Sequence, residues 1–139
     1  MAVAADASTL AIDGVIDAAF AGRTRELEAQ FGKVRTAGTS PGTILSAALR
    51  HVAQLHRARL AIDQGASVNE AAGGIQPFVH FNRKPLVESA LKAWSSARLQ
   101  RAMAQLAEAA LEARQQSPMA EVIAQRALLM LAVDARRKE

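Results

Sequence analysis

The chain has no cysteine and no tyrosine, and it contains a single tryptophan among its 139 residues. Without cysteine, the protein has no disulfides, thiolate metal sites or cysteine nucleophiles, which favours a reducing environment. The longest unbroken apolar run, residues 127–133, covers only about a third of the roughly 20 residues that a transmembrane helix needs. The first residues lack a basic leader, and Asp6, Asp13 and Asp17 interrupt their apolar stretch. A cytoplasmic location is therefore expected.

The sequence also lacks the period-two alternation of strands, and its apolar half is rich in alanine and leucine at helical spacing. Ser40-Pro41, Ser95 and Ser117-Pro118 are helix start signals, and Asn82 can cap the helix that follows it. Gly22 and Gly38 are placed to end helices. The pattern predicts an all-α fold, a compact bundle of six or seven helices. We expect residues 1–139 to form a single domain, with residues 64–81 as an irregular connection between two helical halves.

The apolar stripes of these helices predict the core. In the helix that Ser95 begins, the predicted stripes are Leu99, Met103, Leu106 and Ala110, and beside them Ala104, Ala107 and Leu111. Trp94 continues the stripe of Val87, Ala90 and Leu91, and we expect it to be buried. The last helix is apolar all round between residues 127 and 133, which is typical of a helix covered on every side. The predicted core anchors are Leu45, Val52, Leu91, Trp94, Leu106 and Leu128.

Residues that carry chemistry are few. Glycine patterns that hold phosphates are absent, and His51 and His56 lie five residues apart, on different helix faces, unlike a helical zinc pair. We interpret these histidines, together with His80, as surface or rim residues, and we predict neither a metal nor a cofactor. One enzymatic alternative stays open, an anion pocket formed by arginines. Its candidate residues are Arg50, Arg57, Arg98 and Arg101.

A basic cluster lies between residues 83 and 101. It contains Arg83, Lys84, Lys92, Arg98 and Arg101, opposed locally only by Glu88. Such clusters bind phosphates, but they are more often solvated helix faces, and no aromatic residues are interleaved here to stack on bases. A small helical DNA-binding module is therefore a second alternative.

The order of the segments carries a resemblance to a known family. AIDGVIDAAFAG, TSPGTILSAALRHVAQLHRAR, RKPLVESALKAWS, SARLQRAMAQLAEAALEAR and AEVIAQRALLMLA follow one another within about residues 6–131. The shorter motifs among them are Asp6-Ala7, Asp17-Ala-Ala with Gly22, Gly38-x-Ser40-Pro41, and Arg83-Lys84 leading to Ala90-Leu91. This succession resembles the C-terminal domain of the delta subunit of bacterial DNA polymerase III, which belongs to the clamp loader.

The resemblance implies a collar domain without catalysis or ATP hydrolysis of its own, in the replication machinery of the bacterial cytoplasm. It also implies that the chain is a piece of a longer subunit, whose ATPase-like N-terminal domain and lid domain are absent here. The implied partners are the ATPase subunits and delta-prime, through helical packing, with DNA near the full assembly. On this basis we expect Arg83, Lys84, Arg98 and Arg101 at a subunit contact or at a rim facing DNA.

Overall fold

The computed structural model describes residues 7–75 and 81–137, which form seven α-helices, two short 3-10 turns and no strand. The helices are α1 (Ala7–Ala21), α2 (Thr24–Thr36), α3 (Pro41–Asp63), α4 (Val68–Gly73), α5 (Lys84–Ala93), α6 (Ser96–Gln115) and α7 (Ala120–Ala135). The predicted all-α fold is confirmed. Within the described ranges, no helix is both long enough and apolar enough to cross a bilayer.

Serine side chains start three of these helices. The Oγ atoms of Ser40, Ser67 and Ser95 accept hydrogen bonds from backbone N–H groups in the first turns of α3, α4 and α6. Ser67 also forms a reciprocal capping box with Glu70. These caps satisfy donors that have no partner inside the helix, so the starts of the helices follow from local sequence.

Glycines end the first two helices as predicted. Gly22 and Gly38 have φ angles of 75° and 99°, in the left-handed region that glycine adopts without strain. Gly22 also lies against the end of α7, where a Cβ atom added to it would be 2.6 Å from Cγ of Arg136.

The core lies where α3 packs along α6, where α1 packs against α2 and α7, and where α6 packs on α7. All six predicted core anchors are buried in it. The buried stripe of α6 differs in part from the prediction, which included Met103, Ala104 and Leu111. The residues that it buries are Leu99, Ala102, Leu106, Ala109 and Ala113.

Two expectations about helix ends and faces are corrected. Asn82, predicted to cap α5, lies in a 3-10 turn (Phe81–Arg83), so Arg83 occupies the N-cap position and the helix begins at Lys84. The apolar last helix, α7, is not covered on every side, because its Met130 and Val133 side chains remain about half exposed. The predicted irregular connection contains α4, and residues 76–80 of it lie outside the described part of the chain.

Candidate interaction surfaces

Arg83 joins the start of α5 to α1. Its Nε and Nη2 atoms donate to the two carboxylate oxygens of Asp17 at 2.9 and 2.7 Å, and its Nη1 atom lies 3.3 Å from Oδ1 of Asp13. Asp13 and Asp17 are four residues apart on α1, so both carboxylates lie on one helix face. The Arg83 side chain is only 18% exposed and that of Asp17 only 10%. This contact is therefore largely, but not fully, shielded from solvent.

His51 completes this cluster from α3. Its Nδ1 atom lies 3.4 Å from Nη2 of Arg83, and its ring makes an edge contact with Phe20. Burial, reinforced by the charge of Arg83 and opposed by that of Asp17, lowers the pKa of His51 to about 4. Burial alone would lower the pKa of Arg83, but the hydrogen bond and the charges of Asp17 and Asp13 raise it. At neutral pH the cluster therefore holds a charged arginine beside a neutral histidine.

A second cluster surrounds the tryptophan at the end of α5. The Trp94 indole Nε1 atom donates to the carbonyl oxygen of Phe20 at 3.0 Å, and the two rings meet edge to face. The Arg98 guanidinium lies 4.7 Å above the indole ring, close enough for a cation–π interaction. Arg98 also donates to the backbone carbonyls of Ala93 and Asp134, near the ends of α5 and α7.

The four basic residues predicted at a contact or rim do not share one environment. Arg83 lies against α1 and α3, and Arg98 is buried over Trp94, so groups of this chain bind both guanidinium groups. Lys84 is half buried and Arg101 is exposed on α6. A contact of Lys84 or Arg101 with a partner stays a prediction.

The histidines also differ from the prediction. His51 is buried, because it lies on the face of α3 that carries Val52 and Leu55 into the core, so the surface interpretation is wrong for it. His56 is half buried, and His80 lies outside the described residues. Sequence reasoning missed the roles of Asp13 and Asp17, although their i, i+4 spacing was a detectable signal.

The strongest surface feature is apolar, and we call it the apolar face. It consists of five side chains on α6, on α7 and on the 3-10 turn between them (Ser117–Met119), each about half exposed. They are Leu111, Met119, Val122, Met130 and Val133, with exposed fractions of 47%, 48%, 56%, 52% and 49%. Four of them, at positions 119, 122, 130 and 133, follow the spacing of a single helical stripe.

A groove between α6 and α7 runs beside this stripe. Its volume is about 410 Å³, and Ala109, Ile123 and Ala127 are among the residues that line it. Glu108 and Glu112 border it from α6, whereas Arg126 borders it from α7. The groove therefore combines apolar side chains with charges of opposite sign on its two helices.

The most basic cavity, which we call the basic cavity, lies where α5 ends and α6 begins, next to the end of α7. It has a volume of about 490 Å³, and its uncharged lining residues are Ala93, Ser95 and Ala135. Its five cationic lining residues are Arg59, Lys92, Arg98, Arg136 and Arg137.

Two arginines of the enzymatic alternative line different cavities. Arg57 lines a surface cavity beside Glu70 and Ile75, whereas Arg98 lines the basic cavity. Arg50 and Arg101 are exposed on α3 and α6. Among the residues with described positions, no group of three or more histidine or acidic side chains is arranged to hold a metal ion.

Comparison with known proteins adds no relative to these observations. No protein-family model, curated protein or solved structure matches the chain.

Proposed function

We propose that this chain is a subunit-assembly domain, the collar domain of a clamp-loader delta subunit, and that it helps hold together the complex that places the sliding clamp on primed DNA. The order of its helical segments, which resembles that family, supports the assignment to a clamp loader. The apolar face is the observation that carries the assembly role.

Isolated exposed apolar side chains are common on proteins, but a contiguous row bordered by polar residues is typical of a binding surface. On α7, Val122, Met130 and Val133 share one stripe in which Arg126 stands between Val122 and Met130, and Glu108 and Glu112 lie across the groove. A helical stripe beside a groove suits packing against helices of a partner. In a collar, this surface would be covered by the helical domain of a neighbouring subunit.

The interior polar groups support a scaffold role rather than catalysis. Arg83 and Arg98 are bound by carboxylate or carbonyl groups of the same chain. Arg83 connects the start of α5 to α1, and Arg98 connects α6 to the ends of α5 and α7. Such contacts keep the helices in fixed relative positions. A rigid frame is what a domain needs when its task is to present one surface to its neighbours.

The test is size-exclusion chromatography with light scattering, in which the chain is mixed with the ATPase and delta-prime subunits of the same organism's clamp loader. The parent chain should enter a joint peak, and Val122→Glu/Met130→Glu should lose it, because two charged carboxylates would have to lose their hydration at an apolar contact. Leu10→Glu/Leu60→Glu is the matched control, since both leucines are exposed and lie outside the apolar face.

Circular dichroism should show that both double variants keep the helical content and melting temperature of the parent. If the parent forms no joint peak although it is folded and monomeric, the assembly proposal is wrong. If both double variants associate as the parent does, the subunits use another surface.

A further inference from the structure

The basic cavity has more positive charge than the fold requires. Its five cations face two nearby carboxylates, Asp63 and Asp134, and a third carboxylate, Glu88, lies one helical turn before Lys92 on α5. Asp63 is bound to Arg59 at 3.0 Å, whereas Asp134 is 3.8 Å from Arg137, a loose and exposed contact. A positive excess therefore remains around an open space of about 490 Å³.

The simplest explanation for cations here is that they stabilise the carbonyl ends of α5 and α7, since positive charge is favourable at a helix C-terminus. Two arginines already do this. Arg98 donates to the carbonyls of Ala93 and Asp134, and Nη1 of Arg59 donates to the carbonyl of Leu91 at 2.7 Å. These contacts, together with the stacking of Arg98 on Trp94, fix the inner wall of the cavity.

The cations of the outer wall also lie at helix ends, but the side chains of Lys92 and Arg136 donate to none of the described carbonyl groups. Lys92, Arg136 and Arg137 are exposed, on two different helix ends that are brought together only by the fold. The side chains of Lys92 and Arg136 make no hydrogen bond or ion pair with any residue in the described ranges. Like charges repel, so their convergence on one cavity favours an anionic ligand that offsets the repulsion.

We propose that the basic cavity binds phosphate groups of a nucleic acid backbone. Its volume is in the range of small-molecule sites, so it has room for a phosphate with its adjoining sugar. Arginine and lysine are the side chains that contact backbone phosphates, and no aromatic side chain on its surface is placed to stack on a base. Binding should therefore be independent of sequence and strongly dependent on salt.

The test measures fluorescence anisotropy of a labelled, mixed-sequence single-stranded oligonucleotide over a series of salt concentrations. The variant is Lys92→Glu/Arg136→Glu, which reverses two cations of the outer wall. The matched control is Arg25→Glu/Arg114→Glu. Both control arginines are exposed, one on α2 and the other in the last turn of α6, at the opposite end of that helix from the cavity. The two double variants change net charge equally.

The parent should bind at low salt, and Lys92→Glu/Arg136→Glu should weaken binding about tenfold or more while the control loses much less. Because each phosphate contact to a single strand contributes about 0.7 to the slope of log affinity against log salt, loss of two contacts should reduce that slope by about 1.4. Circular dichroism should show both variants folded; if the reversed pair is not, Lys92→Gln/Arg136→Gln takes its place.

Three results would overturn the proposal. The first is that the parent does not bind the oligonucleotide at low salt. The second is that the two double variants weaken oligonucleotide binding equally. The third is that sodium pyrophosphate saturates the basic cavity although the oligonucleotide does not bind measurably. The last result would assign the cavity to a free phosphate compound instead. This proposal and the assembly proposal fail separately, since Val122→Glu/Met130→Glu leaves the basic cavity intact.

Discussion

Replacing Trp94 with alanine should test whether the contacts at the end of α5 hold the bundle together. Trp94 is 1% exposed, its indole N–H donates to the carbonyl of Phe20, and Arg98 stacks on its ring. Truncation of a buried tryptophan to alanine typically costs about 3–5 kcal/mol. Loss of the hydrogen bond and of the cation–π contact places Trp94→Ala near the upper end, about 4–5 kcal/mol. Since a domain is typically stable by only about 5–15 kcal/mol, the variant should be close to unfolding.

Urea unfolding followed by far-ultraviolet circular dichroism measures this loss for every variant, including those without tryptophan. Trp94→Phe is the control, because it keeps most of the apolar contact and loses the indole N–H, at an expected cost of about 1–2 kcal/mol. In the parent, the emission of this single tryptophan should be blue-shifted relative to tryptophan in water. A loss below about 1 kcal/mol for Trp94→Ala, with water-like emission in the parent, would refute the packing argument and make Trp94 a surface residue.

Two further predictions concern the cluster around Arg83. Burial lowers the pKa of His51 from 6.5 to about 4, so between these pH values the unfolded chain binds a proton that the folded chain does not. The free energy of unfolding should therefore fall as pH decreases from 6.5 to 4, by at most about 1.4 kcal/mol per pH unit. In His51→Gln, the urea midpoint should depend less on pH across this window. Arg83→Met should destabilise the fold by about 2–3 kcal/mol, because Asp17 would remain largely buried without its counter-charge. This loss is smaller than that for a fully buried pair, since Arg83 is partly exposed. In urea unfolding, Asp17→Asn/Arg83→Met should recover part of that loss; if the double variant is as unstable as the sum of the two single ones, the contact is not the cause.

Several starts and ends of helices were predictable because they depend on neighbours in sequence. The start predicted at Ser117-Pro118 was wrong, since these residues form a 3-10 turn and α7 begins at Ala120. Ser40 and Ser95 cap the helices that follow them, and Gly22 ends α1 in the left-handed region, as their positions indicated. Where a tertiary contact competes, the local signal was less reliable. Arg83, which is bound to α1, occupies the N-cap position of α5 that Asn82 was expected to hold.

The candidate surfaces were only partly predictable. The excess of apolar residues on the last two helices was visible in the sequence, but the direction in which each residue points was not. A helix that is apolar all round gives no periodic signal for its buried side. Only its packing on α1 and α6 determines that Leu128 is buried and that Met130 is half exposed.

By itself, the sequence determined the all-α class and most helix boundaries, because capping and helical periodicity act over a few residues. The tertiary structure decided which charges are internal and which are free to bind. Arg83 meets Asp17 at a sequence separation of 66, and Lys92 meets Arg136 at one cavity only because the ends of α5 and α7 are adjacent. Such meetings depend on how complete helices pack against one another, and no local pattern encodes them.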